Sequence, residues 1–151
     1  SNTGYDAVKS VFPAAKVIVH IDNAYEDDTW FFDKLKAAGG KFDMIGLSHY
    51  PMTNSGMTWK AMNSSAILNI KTLAAKYGCK VMVCEIGVRD TASDLAVSTQ
   101  CITEFMSSVK PLSVCAGVFY WEPESMPGGY QLGAFDKDAK PTIIMDAFMN
   151  H

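Results

Sequence analysis

Apolar residues along this chain fall into two alternating rhythms: short, nearly continuous runs, and longer stretches with helical spacing. The clearest run is Lys80-Val81-Met82-Val83-Cys84-Glu85-Ile86-Gly87, in which apolar residues end abruptly in one carboxylate and a glycine. The helical pattern Ala66 to Tyr77, stopped by Gly78, precedes it, so the run reads as a buried parallel strand with Glu85 at its C-terminal end. The same alternation predicts a strand at Lys16 to Ile21 and then a helix at Thr29 to Ala38, between the cap-like Glu26-Asp27-Asp28 and the stop Gly39-Gly40. A strand at Phe42 to Ser48 leads to the Ala66 helix, and the Lys80 strand leads to a helix at Ala92 to Val109. Cys115 to Trp121 is the last strand and Pro141 to Met149 the closing helix, while Gly4 to Val11 opens the chain as a helix.

Strands alternating with helices, with no hairpin signals between them, imply a parallel sheet. The long connections Pro51 to Ser64 and Glu122 to Lys140 then fall on one face of it, where a substrate would lie. Both a doubly wound sheet and part of a barrel fit this topology. No G-x-G-x-x-G or G-x-x-x-x-G-K-[ST] follows any strand, which removes the main phosphate-binding signatures of the doubly wound class. A closed (βα)8 barrel typically needs about 250 residues. Only about four units fit in 151 residues, so a barrel reading predicts half of one.

Composition narrows the function. The chain is 48% hydrophobic and 19% charged with a net charge of -3, the profile of a globular protein with one core. Its scattered lysines and arginines form no basic block, so no nucleic-acid partner is expected. No apolar run approaches the roughly 20 residues that span a bilayer, and no signal-peptide pattern opens the sequence as given. Cys79, Cys84, Cys101 and Cys115 lack the close spacing of zinc or redox sites and read as buried free thiols. The Asn63-Ser64-Ser65 triplet matches a glycosylation acceptor, a pattern common by chance.

Each predicted strand ends in polar or aromatic residues: His20 with Asp22 and Asn23, Ser48-His49-Tyr50, Glu85, and Trp121-Glu122. Strand ends of this kind are where (βα) enzymes assemble their sites. Alternation puts Val81, Val83 and Glu85 on one face, Ser48 and Tyr50 on one face, and Phe119 and Trp121 on one face. If those faces point into a barrel, Glu85, Tyr50 and Trp121 converge. A carboxylate beside a phenol and an indole suits a retaining glycosidase: the carboxylate attacks the anomeric carbon, the phenol keeps it ionised and oriented, and the indole supports a sugar face. Taken singly, Tyr50 also reads as loop packing, Trp121 as core and His20 as a satisfied strand-end histidine.

Together these residues carry a resemblance. His20-Ile21-Asp22-Asn23, the segment Phe42-Asp43-Met44-Ile45-Gly46-Leu47-Ser48-His49-Tyr50-Pro51, the strand ending in Glu85, and Gly117-Val118-Phe119-Tyr120-Trp121-Glu122-Pro123 resemble the glycoside hydrolase family 53 endo-β-1,4-galactanases. Gly133-Ala134-Phe135-Asp136 and Lys140-Pro141-Thr142 extend the similarity. The resemblance implies an α/β fold consisting of the fifth to eighth strands of a (βα)8 TIM barrel, with residues 1–151 as the C-terminal half of the catalytic domain. It implies Glu85 as nucleophile with Tyr50 as its partner, and His20, Asp22, Asn23, Ser48, His49, Trp59 and Trp121 as substrate-binding residues. The acid/base glutamate of such enzymes has no counterpart, since neither Glu26 nor Glu122 matches its position. Where the family has a second tyrosine this chain has His49, and Met52-Thr53 replace an aromatic pair, with Trp59 as a substitute platform. Ile86-Gly87-Val88 follow the nucleophile in place of a threonine and a later aromatic.

The expected activity is retaining cleavage of β-1,4-galactan in arabinogalactan or pectin. A related retaining mannanase or cellulase, and a catalytically incompetent fragment or sugar-binding module, are the other readings. No cofactor is expected, with calcium in the loops left open. The expected partners are the polysaccharide and an N-terminal half-barrel or a second copy of the chain. A polymer substrate implies a secreted or periplasmic protein.

Overall fold

The two rhythms of the sequence become alternating strands and helices in the computed structural model, which describes residues 2–54, 56–125 and 129–149. In chain order these are α1 (Asn2–Val11), β1 (Ile18–Ile21), α2 (Thr29–Ala37), β2 (Met44–His49), α3 (Trp59–Tyr77), β3 (Lys80–Ile86), α4 (Leu95–Val109), β4 (Cys115–Tyr120) and a closing 3-10 helix (Ile143–Phe148). The four strands pair in parallel in the order β1-β2-β3-β4, so α2, α3 and α4 are each the crossover from one strand to its neighbour. This is half of a (βα)8 barrel.

The core lies between the sheet and the helices. Ile45 and Leu47 of β2 and Val81, Val83 and Ile86 of β3 are fully buried against Ile70 and Leu73 of α3 and Ile102 and Phe105 of α4. Each such side chain contributes about 1.5–3 kcal/mol through removal from water. The other face of the sheet is open: Met82 and Cys84 are half-buried, and Phe119 is 59% exposed.

That division corrects one expectation. Val81 and Val83 point toward the helices, and Glu85 does not share their face. Leu47 pairs with Val83 but Ser48 pairs with Glu85, so Cys84 is an extra residue, a bulge that turns Glu85 to the open side. A matching bulge lies in β4, where Cys115 to Val118 span the same stretch as Val81 to Val83. Gly117, at φ +154°, adopts a conformation there that L side chains rarely reach.

Helix α3 begins at Trp59, inside what the sequence reads as a loop to Ser64. Thr58 caps it, its Oγ1 accepting the Ala61 N–H at 3.2 Å. Polar Asn63, Ser64 and Ser65 hid the helix, and Asn63 is buried within it, which removes the triplet as a glycosylation acceptor in the folded chain. The predicted stop is present: Gly78 takes the left-handed conformation at φ 65° and its N–H closes on Ala74 O. The last helix is shorter than predicted and of 3-10 type, burying Ile144 and Ala147. The four cysteines are free thiols, and burial pushes Cys101 up to about 12. No helix among the described residues is long and apolar enough to cross a membrane.

Candidate active site

The C-terminal ends of the four strands bring their polar residues to one rim. The Tyr50 hydroxyl, just beyond β2, donates to Glu85 Oε2 at 2.8 Å. Glu85 is mostly buried, with 22% of its side chain exposed. On its other side, His20 Nε2 at the end of β1 lies 4.0 Å from Glu85 Oε1 and shares a 2.8 Å hydrogen bond with Ser48 Oγ. Four residues from three strands thus form a chain of contacts around one carboxylate.

Electrostatics fix the phenol's role. Burial, the hydrogen bond with Tyr130 and the bond to Glu85 all push the Tyr50 hydroxyl well above the usual tyrosine range. The phenol is thereby favoured in its protonated form, the one that donates to the carboxylate. A phenol–carboxylate hydrogen bond of this kind is worth about 1.5–3 kcal/mol and orients the carboxylate. Sequence reasoning missed Tyr130, although it lies in the Gly-rich stretch Gly129-Tyr130-Gln131-Leu132-Gly133 of a loop expected on the substrate side.

Trp121 follows β4, its backbone N–H donating to Ile86 O at 3.0 Å, which fixes the backbone at that residue beside the end of the strand that bears Glu85. It is 42% exposed and free to offer a face to a ligand. Asp22 and Asn23 stand on the rim after β1, where Asp22 Oδ1 accepts the Asn23 N–H at 2.7 Å and Asn23 takes a left-handed φ of 57°. The Ala24 N–H ties this turn to Ser48 O.

Two residues expected at the site lie elsewhere. His49 alternates to the helix side of β2 and is fully buried, its ring 4.7 Å from that of Phe105. Its Nε2 meets Asn63 Oδ1 at 2.8 Å, and Asn63 Nδ2 in turn donates to Cys101 O. An amide oxygen only accepts, so His49 Nε2 carries the proton, and Nδ1 has no hydrogen-bond partner among the described residues. Burial pulls the imidazole down to about 4. Trp59 opens α3 and lines a separate cavity of about 430 Å³ with Met52, Arg89 and Asp94, which neither Glu85 nor Tyr50 borders. The reason is again α3's early start, which sets the indole at the helix N-terminus rather than on a free loop.

Among the described residues, no group of three or more His, Cys, Asp or Glu side chains is arranged to hold a metal ion. The chemistry that the site offers is that of one carboxylate oriented by a phenol.

Comparison with known proteins identifies the family. The model of Glycosyl hydrolase family 53 matches residues 1–142. An arabinogalactan endo-beta-1,4-galactanase of Humicola insolens is 28% identical over 132 residues, covering 74% of this chain and 39% of that protein. Among solved structures, the family 53 catalytic domain of Ignisphaera aggregans superposes with a TM-score of 0.74 at 20% identity, over 95% of this chain and 49% of that one. A fungal β-1,4-galactanase gives 0.71 at 22% identity, over 94% and 50%. The chain thus spans about two-fifths of such a curated relative and half of the solved barrels. With the family model running across nearly its whole length, the chain belongs to glycosyl hydrolase family 53.

Proposed function

We propose that residues 1–151 are the nucleophile-bearing C-terminal half of a retaining endo-β-1,4-galactanase, acting on arabinogalactan or the galactan side chains of pectin. The observation that carries the reading is the Tyr50–Glu85 hydrogen bond at adjacent strand ends, in a chain of this family. In the first step Glu85 attacks the anomeric carbon while an acid protonates the leaving glycosidic oxygen. In the second step that same acid, now a base, takes a proton from water, which displaces Glu85 and releases the sugar with its configuration retained. Tyr50 holds Glu85 ionised and aimed, Trp121 floors the subsite of the sugar being cleaved, and His20, Ser48, Asp22 and Asn23 meet its hydroxyls.

The acid/base comes from an N-terminal half-barrel, because neither Glu26 nor Glu122 matches the position of the family's acid/base glutamate. By itself the chain is inactive. Its substrate is a polymer, so the parent enzyme works in the periplasm or outside the cell. The test is to join the chain to an N-terminal half of the family and assay galactan, mannan and cellulose. Hydrolysis of galactan above the other two supports the reading, and a preference for mannan or cellulose replaces it with another barrel polysaccharidase.

A further inference from the structure

Gly87, two residues after Glu85, is buried between two parts of the site. A Cβ built on it would lie 2.8 Å from Tyr50 Cε1 and 3.1 Å from Cδ1, with Leu132 O 3.4 Å away. Carbon atoms rest about 3.5–4.0 Å apart, so the first two contacts are overlaps and the third is already snug. Gly87 is not among the glycines of positive φ, so its backbone conformation does not demand glycine. The space does.

Neither neighbour can yield without consequence. Leu132 O is held by the Tyr120 hydroxyl at 2.9 Å, and that hydroxyl also accepts the Val88 N–H at 3.4 Å, which fastens the loop to the residue after Gly87. The Gly87 N–H itself points to His49 O at 3.4 Å, holding its backbone against the strand that leads to Tyr50. A methyl group here would therefore displace the Tyr50 ring, and the ring carries the hydroxyl that reaches Glu85.

We propose that Gly87 is a positioning residue, its missing Cβ forming the slot in which the Tyr50 ring lies so that the phenol reaches Glu85. The importance of that contact for catalysis rests on the function proposed above, but the contact can be tested without turnover. The chain is labelled with ¹³Cζ-tyrosine, whose shift reports hydrogen bonding of the hydroxyl. Tyr50→Phe assigns the signal, and Glu85→Ala shows its position without the carboxylate. Gly87→Ala is expected to move the Tyr50 signal in the same direction as Glu85→Ala, and the double variant to move it no further than Glu85→Ala alone. A Tyr50 signal unmoved by Gly87→Ala, or moved by an equal increment when Glu85 is already alanine, overturns the proposal. If Gly87→Ala does not fold, Gly87→Ala with Tyr50→Ala must recover the wild-type fold, since the ring that clashed is gone; a double variant that stays unfolded is likewise fatal. A wrong assignment of Glu85's chemistry leaves these spectra unchanged, so the two failures are separable.

Discussion

Glu85 stands directly opposite Ser48 in the sheet, where strict pairing from Leu47 and Val83 would place Cys84. The bulge at Cys84 thus decides whether the carboxylate faces the helices or the open rim. Placed on the helix side, it would be a buried charge with no partner, at a cost of several kcal/mol.

Glu85→Gln in a full-length enzyme is expected to lower turnover by two to four orders of magnitude or more, about the loss seen when one member of a catalytic unit is removed. A mechanism-based fluoro-sugar should label Glu85 in the wild type. Wild-type turnover in the variant, with no label on Glu85, would make another group the nucleophile.

Trp121→Ala is expected to weaken galacto-oligosaccharide binding by roughly tenfold, the scale of one lost aromatic contact of about 1.5 kcal/mol. Calorimetric titration of the full-length enzyme checks it. An unchanged affinity would remove the indole from the sugar site.

Two buried groups should oppose each other in the acid range. Burial holds His49 down at about 4 from an ordinary 6.5, so the unfolded chain binds the extra proton between those values and His49 makes the fold more stable as pH rises from 4 to 6.5. Asp28, only 5% exposed, is pushed from 3.8 up to about 6 chiefly by burial, with Glu26, Asp27 and Asp22 adding like charge. Here the folded chain keeps the proton longer, so this contribution falls as pH rises from 3.8 to 6. Each effect amounts to about 3 kcal/mol at full extent. Urea unfolding is therefore expected to give a nearly level stability between these limits, a falling one in His49→Gln and a rising one in Asp28→Asn. Slopes identical to wild type in both variants would show that neither group titrates as its surroundings dictate.

The chain alone leaves β1 and β4 as unpaired edges, with Phe119 exposed on the open face, Trp121 exposed beyond β4, and Val11 and Phe12 each 67% exposed at the end of α1. It is expected to sediment as a dimer in which a second copy covers these surfaces, and to have no galactanase activity. A stable monomer would show that the open face needs no partner, and hydrolysis by that monomer would place the acid/base within these residues.

Element types were legible because the apolar rhythm is strong: Val81 and Val83 in a short run, then Gly78 as a stop, leave little choice. The meeting of Tyr50 with Glu85 at neighbouring strand ends was legible too, since strand ends gather in this architecture. Facing was not. Alternation assigns Glu85 to the Val81 face and cannot register an inserted Cys84, whose effect exists only in pairing with Leu47 and Ser48. The start of α3 was hidden because Asn63, Ser64 and Ser65 look like loop residues, while the Thr58 cap and Asn63's buried partners outweigh that local preference. His49 was placed at the site by the family resemblance, although alternation between Ser48 and Tyr50 already sends it to the helix side.

The two bulges in adjacent strands cancel. The residue gained by β4 near Gly117 is repaid by β3 at Cys84, so Ile86 and Tyr120 meet again in step. On the helix side the sheet is therefore uninterrupted, and the apolar packing of Val83 and Ile86 continues as though nothing had been inserted. On the other side, the strand has gained a position turned to the open face, on which no core contact depends. Chemistry and folding are thereby uncoupled at the residue where a conflict between them would do most harm: the side chain at position 85 can be exchanged to alter reactivity while the layer beneath it keeps its register.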